Sequence, residues 1–312
     1  MKWIIKNPAP WGPRLHKWGD YHFGRLLARQ LACRGEAVET HYHPHWDRDG
    51  DCDVVLVLRG KHRFERRPGQ HAGAVQLLWN ISHPGGVSDG EYESHDFVAV
   101  ASQPRAQELS ARLSVPVAAL LQCAEPEELA AVADQSGSGA GGDDVRRGFV
   151  FVGNTRNIRR PGVLWALEYG LPLCIWGHGW DRWRQARERV VADYYPNEWL
   201  GRLYTRSRAT INDHWNDMKA YGFINNRVID ALACGLPVVS DWHAELTRLF
   251  PDEVLYYRDQ KEFETCMESL LLDYPDVQGR AESARERVCH EFTFEQRANE
   301  LIDFVGGQQR SA

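Results

Sequence analysis

Short apolar runs recur along the chain at spacings too wide for hairpins and wide enough for an intervening helix. In the first part, residues 3–5, 38–41, 54–58, 75–79, 97–101 and 117–121 each read as a buried strand bounded by turn residues, with helices over 23–34 and 105–113. Continuous apolar runs alternating with helical stretches mean a parallel sheet covered on both faces. Residues 133–144 break the pattern: they have no apolar period, and their Gly and Ser content marks a flexible linker. The pattern then resumes, with strands over 149–152, 171–176, 209–212, 238–240 and 254–257 and helices over 162–169, 180–189, 198–207, 223–234, 245–250, 261–273 and 277–290. An amphipathic helix over 293–304 closes the chain. The expected organisation is a first doubly wound domain over 1–125, a linker over 126–147, a second doubly wound domain over 148–290, and a C-terminal helix in 291–312 packing back on the first domain. The fold class is α/β, two Rossmann-like domains, with ligands collecting at the carboxyl ends of the strands and in a central cleft.

Composition narrows the function more than the fold. The 312 residues suit two domains, and 43% hydrophobic and 26% charged residues with a net charge of −6 describe an ordinary globular chain. That acidic balance argues against nucleic acid as the main partner, because binding a phosphate backbone needs a basic surface. Residues 1–6 are too short an apolar run for a signal peptide, and no later stretch reaches the ~18–20 apolar residues of a membrane span. The expectation is a cytoplasmic protein without a transmembrane segment, with peripheral membrane contact left open. Seven cysteines are scattered and never spaced Cys-x-x-Cys, so neither a disulfide framework nor a zinc site is expected. Twelve tryptophans, several beside glycines, offer flat side chains suited to sugar or base stacking as well as to core packing.

The most informative stretch runs from Gly222 to Asp241. Ile224, Val228, Ala231 and Leu232 give a helix one apolar stripe, Gly235 suits the left-handed position past its end, and a buried strand follows, ending in Asp241. Asn225, Asn226, Arg227 and Asp230 are left near the helix start, where backbone donors and the dipole favour an anion such as phosphate. No Gly-x-Gly-x-x-Gly follows a predicted strand and no Gly-x-x-x-x-Gly-Lys-Ser/Thr loop is present, so hydride transfer and P-loop ATP hydrolysis are disfavoured. The segments after the first domain's strands are polar: Asn7-Pro-Ala-Pro-Trp-Gly, Arg59-Gly-Lys-His and Asn80-Ile-Ser-His-Pro-Gly-Gly.

In Phe149-Val-Phe-Val-Gly-Asn-Thr-Arg156, Ile175-Trp-Gly-His-Gly-Trp180, Ile211-Asn-Asp-His-Trp215 and Gly222–Asp241, the second half resembles the donor-binding domain of GT-B glycosyltransferases. The likeness is to the glycosyl transferases group 1 superfamily and its compact spore-maturation-type branch. The first half matches more loosely, through Lys6-Asn-Pro-Ala-Pro10, Trp18-Gly-Asp-Tyr-His22 and Trp79-Asn-Ile-Ser-His-Pro84. The resemblance implies transfer of a sugar from a UDP-, GDP- or dTDP-linked donor to the hydroxyl of a glycan, lipid-linked or natural-product acceptor, with no cofactor beyond that co-substrate and no metal. Its donor residues would be Gly153, Asn154, Arg156, Gly177, His178, Trp180, Asp213, His214, Asn226, Arg227 and Asp230. The superfamily carries a Glu-x7-Glu pair in this element; here Asp230 stands at the second position and Gly222 at the first, so the missing carboxylate's role would pass to Asp213 or to backbone amides near Gly222. Asn226 and Arg227 would lie by the diphosphate, a guanidinium offsetting charge on the leaving nucleotide. For an inverting reaction the base candidates are Asp20, then His22 and His83; a retaining reaction needs none. A non-catalytic nucleotide-sugar-binding protein and a nucleotide-sugar epimerase on the same scaffold are the competing readings.

Overall fold

The computed structural model describes residues 1–133 and 148–309. In chain order the first part contains β1 (Lys2–Pro10), α1 (Gly19–Cys33), β2 (Ala37–His43), β3 (Val54–Arg59), β4 (Val75–Asn80), α2 (Asp89–Tyr92), β5 (Phe97–Val100), α3 (Gln103–Ser110) and β6 (Val117–Ala119). There follow α4 (Pro126–Ala133), β7 (Phe149–Val152), α5 (Pro161–Glu168), β8 (Leu173–Trp176), α6 (Arg184–Arg187), β9 (Val190–Ala192), α7 (Leu200–Arg206) and β10 (Ala209–Asn212). The remainder is α8 (Asn216–Ala220), α9 (Asn226–Ala233), β11 (Val238–Asp241), α10 (Ala244–Leu249), β12 (Val254–Tyr257), α11 (Gln260–Leu272), α12 (Tyr274–Glu291) and α13 (Phe294–Gln309).

Two compact units divide these elements. The first joins Met1–Cys123 with Asn216–Ile224 and the chain from Phe292 on; the second joins Ala124–Trp215 with Asn225–Glu291. Among the described residues each unit has one six-stranded, all-parallel sheet, in the order β2-β1-β3-β4-β5-β6 in the first and β12-β11-β10-β7-β8-β9 in the second. In both, the strand order reverses once. The switch lies between β1 and β3 in the first unit and between β7 and β10 in the second, and loops leaving such a pair diverge to opposite faces, opening a crevice at the carboxyl end.

The cores follow from the apolar runs. In the first unit Trp3, Leu56, Leu77 and Trp79 are wholly buried against α1 and α13, where Phe23 meets Phe294 edge-on at 4.9 Å. Helix α13 is tied to the end of α1 by Arg34, which donates to Glu295 at 2.8 Å and to Asn299. In the second unit Phe149, Ile175 and Ile211 pack with Tyr257, Phe263 and Met267. Each such fully buried side chain contributes about 1.5–3 kcal/mol. No helix among the described residues is long and apolar enough to cross a membrane.

Several sequence expectations need adjustment. Residues 126–133, read as the start of the linker, form α4: acidic Glu127 and Glu128 suit its first turn, and buried Leu129 packs on α7, where a side chain at Gly201 would collide with the Leu129 carbonyl. Residues 134–147, the rest of that linker, lie outside the described residues. Residues 216–224 belong to the first unit although they sit inside the second domain's stretch of sequence. The helix expected over 223–234 starts later, at Asn226, because Asn225 is its cap: the Asn225 side chain accepts from the Val228 N–H at 3.3 Å.

Candidate functional site

In the second unit the crevice is made by the loops after β7 and β10, with the loops after β8 and β11 beside them. The loops after β7 and β8 are stitched together. Gly153 N–H donates to the Trp176 carbonyl at 2.8 Å, Thr155 N–H to the His178 carbonyl at 3.0 Å, and His178 N–H to the Asn154 side chain at 2.7 Å. This seam explains the glycines. Gly177 has φ +145° and a Cβ there would collide with the Gly153 carbonyl, so both conformation and space exclude a side chain. The glycines of this motif thus serve loop-on-loop packing.

Arg156 and Asn157 follow, both non-glycine residues at positive φ, 51° and 60°. Two left-handed residues in succession are a costly backbone held by its surroundings, and such segments cluster where ligands bind. They aim Arg156 across the switch point, where its guanidinium carbon lies 2.8 Å from the centre of the Trp215 ring in the loop after β10. Arg160 makes a second crossing: its Nε stands 2.6 Å from Asp213 Oδ1, and its Nη2 donates to the Asp213 carbonyl at 3.0 Å.

Beyond β10 a polar chain runs over the strand ends. Asn225 donates to Asn212 at 2.7 Å and Asn212 to Ser240 at 2.8 Å, so the cap of α9 is anchored on the ends of β10 and β11. His214 is fixed twice by Asp241, whose Oδ1 accepts from the His214 backbone N–H at 3.1 Å and stands 2.8 Å from its Nδ1. A carboxylate there holds a proton on Nδ1 and fixes the orientation of the ring. On α9, Arg227 Nη1 donates to both Asp230, at 3.0 Å, and Asn197, at 3.1 Å. Burial raises the Asp230 carboxyl to about 6, against the opposing pull of Arg227.

The candidate donor residues therefore separate. Gly153, Asn154, Arg156, Gly177 and His178 share the stitched loops; Asp213 and His214 stand across the switch point; Asn226, Arg227 and Asp230 occupy the first turns of α9. Two expectations are corrected. Trp180 is 3% exposed and packs edge-on against Phe151 in the core, so its ring is no stacking surface. Asp213, proposed to replace the missing first carboxylate, is buried and engaged by Arg160. The glycine at that first position is itself enforced: Gly222 has φ +74°, and a Cβ there would stand 2.6 Å from Pro104 and 2.8 Å from Ser102 Oγ. Sequence reading passed over Asn212, Ser240, Asp241 and the capping role of Asn225, although polar residues ending apolar strands were the available signal.

In the first unit the crevice between β1 and β3 holds Asp20, in the first turn of α1. A Cβ at Gly60, just after β3, would lie 3.4 Å from both Asp20 Oδ2 and Ser82 Oγ, and Ser82 Oγ stands 2.9 Å from His83 Nδ1. Asp20 and His83 thus border one small polar region, with Ser82 between them. His22 is elsewhere: it is buried, its Nε2 stands 2.7 Å from the His16 carbonyl, and it pins the preceding turn, which corrects its place among the base candidates.

No curated protein matches the chain in sequence. Residues 159–303 match the family model described as glycosyl transferase-like. Among solved structures, the chain is similar to a sucrose-phosphate synthase from Thermosynechococcus elongatus, at 13% identity and TM-score 0.67 over 100% of both chains. An alpha-glucosyltransferase in complex with UDP aligns at 10% identity and TM-score 0.69, over 98% of this chain and 100% of that one. An Anabaena protein in complex with UDP and glucose aligns at 10% identity and TM-score 0.64, with the same shares covered. The chain therefore has the GT-B fold of glycosyltransferases, and its residues 159–303 carry the sequence pattern of the glycosyl transferase-like family.

Proposed function

We propose that the protein is a glycosyltransferase that binds a nucleoside-diphosphate sugar in its second unit and moves the sugar to an acceptor hydroxyl, without a metal. The observation that carries this reading is the β7/β10 switch point, where the Arg156 loop, the Asp241–His214 pair and the capped start of α9 supply cationic and hydrogen-bonding groups at the carboxyl ends of parallel strands. The family pattern over 159–303 and the UDP-bound structural neighbours support it. Arg156 and Arg227 offset the charge that builds on the leaving diphosphate, and the first backbone N–H groups of α9 add donors. Asp230, on the α9 face that carries Arg227, takes the place of the superfamily's second Glu. The pattern Ile211-Asn-Asp-His-Trp215 with Gly222–Asp241 favours the compact spore-maturation-type branch.

In the first unit Asp20 is the base of an inverting transfer, since it is half-buried beside Ser82 and is not used as a helix cap: Trp18 is the cap residue of α1. Incubation with UDP-, GDP- and dTDP-sugars tests the reading. Release of nucleoside diphosphate that increases with an acceptor supports transfer; binding of all donors without turnover would make the protein a carrier, and sugar interconversion without acceptor an epimerase. Asp20→Asn is expected to lower transfer at least a hundredfold with donor binding intact, and retention of most activity removes Asp20 as the base.

A further inference from the structure

The first unit carries a group of aromatic rings that neither its core nor the Asp20 region uses. Trp11, just past the end of β1, is 60% exposed, and Trp18 is 37% exposed. The Trp11 ring lies 5.8 Å from Tyr42 at 33°, and Tyr42 lies 5.9 Å from Tyr21 at 38°. Beside them at the end of β2, His43 and His62 are stacked at 4.2 Å. Exposing so much tryptophan forfeits the burial of a large apolar side chain, and Trp and Tyr left exposed in this way concentrate at binding surfaces.

The backbone under Trp11 is tied to the start of α1, which carries Asp20. Trp11 N–H donates to the His43 carbonyl at 2.7 Å, extending the β1–β2 pairing past an irregularity between Asn7 and Pro10. Asn7, wholly buried, ties that irregularity to the start of α1: its side chain accepts from the Ala9 N–H at 2.9 Å and donates to the Asp20 carbonyl at 2.8 Å. Gly24 makes room for it, since a Cβ there would collide with the Asn7 amide. Tyr21 follows Asp20 directly. Asn7 therefore joins the segment that leads to Trp11 with the turn that carries Asp20 and Tyr21.

The chemistry of the patch selects its occupant. Tilted rings, Trp11 open and Tyr21 and Tyr42 partly buried, with phenol and imidazole tips beside them, suit a ligand with one flat C–H face and a rim of hydroxyls, which is a pyranose. An alkyl chain calls for an enclosed apolar groove, and a nucleic acid for a basic surface that a chain of net charge −6 does not favour. We propose that Trp11, Tyr42 and Tyr21 form a saccharide-binding platform that seats the acceptor sugar beside Asp20. The word acceptor rests on the glycosyltransferase reading, whereas saccharide binding stands without it.

The test is calorimetric or saturation-transfer NMR titration of the full chain with cellobiose, maltose, lactose and chitobiose, with the flavonol quercetin and octyl alcohol as counter-probes. At least one disaccharide is expected to bind, at least tenfold more weakly to Trp11→Ala and within about threefold of wild type to Trp11→Phe, which keeps an aromatic face should the alanine variant fold poorly. The proposal is overturned if no disaccharide binds, if Trp11→Ala binds as wild type does, or if only quercetin or the alcohol binds. Titrating UDP into the wild type separately keeps the two ideas apart: disaccharide binding without UDP binding sinks the donor site and leaves the platform standing.

Discussion

Two of the Arg–Asp pairs in the second unit, Arg160–Asp213 and Arg227–Asp230, differ in a way that separates scaffold from site. Arg160 and Asp213 meet at 2.6 Å with side chains only 7% and 5% exposed, bridging the loops after β7 and β10. Arg227 and Asp230 meet at 3.0 Å on α9, 29% and 14% exposed, with Arg227 also bonded to Asn197. A pair taken wholly out of water is bound to its partner, because removing either member strands a buried charge. In a partly buried pair the more exposed member, here Arg227, can exchange its partner for a ligand oxygen at smaller cost. The first pair fixes the geometry of the crevice; the second is able to respond to what enters it.

The largest expected effect breaks the scaffold. Asp213→Asn is expected to destabilise the protein by about 3–5 kcal/mol in denaturant unfolding, since it leaves Arg160 buried without its counter-charge. A loss below about 1 kcal/mol would place the two pairs in one class. Gly177→Ala is expected to cost a comparable amount through its collision with Gly153. Arg227→Ala reverses the balance: about 1 kcal/mol or less in stability, but a tenfold or greater loss of nucleotide affinity.

A smaller effect sharpens the second pair. The folded Asp230 carboxyl is raised to about 6, above the ordinary aspartate value of ~3.9, so the folded state holds this proton more tightly than the unfolded chain. Its contribution to stability is complete below about pH 4 and is lost as pH rises through about 6. Relative to Asp230→Asn, the wild type is therefore expected to lose melting temperature across that window. Parallel pH profiles of the two proteins would contradict this.

How legible these differences are in sequence depends on what sets them. The parallel sheets are visible because their strands are buried on both faces and read as unbroken apolar runs, such as Val54–Arg59. The switch-point residues are visible as polar groups ending those runs, which brings out Arg156, Asp213 and His214. Their roles are not visible, because Asp213 and Asp230 differ only in burial, which tertiary packing decides. Trp180 shows the same limit: a glycine-flanked tryptophan reads as a ring beside a flexible loop, yet Phe151 and Trp183 enclose it. The three-residue strand β9 and the short helices α2 and α8 carry too little periodicity to register, and α4 was hidden by its closeness to the Gly/Ser-rich stretch.

The central claim is that the partly buried pair on α9 reads the donor nucleotide while the fully buried pair only shapes its site. Calorimetric titration of UDP, GDP and dTDP into wild type and Arg227→Ala tests it most directly, with a thermal melt of each protein alongside. The account predicts saturable binding of at least one nucleotide to wild type, weakened at least tenfold in a variant whose melting midpoint falls by no more than a few degrees. Equal affinity in the two proteins, or no nucleotide bound by the wild type, would contradict it.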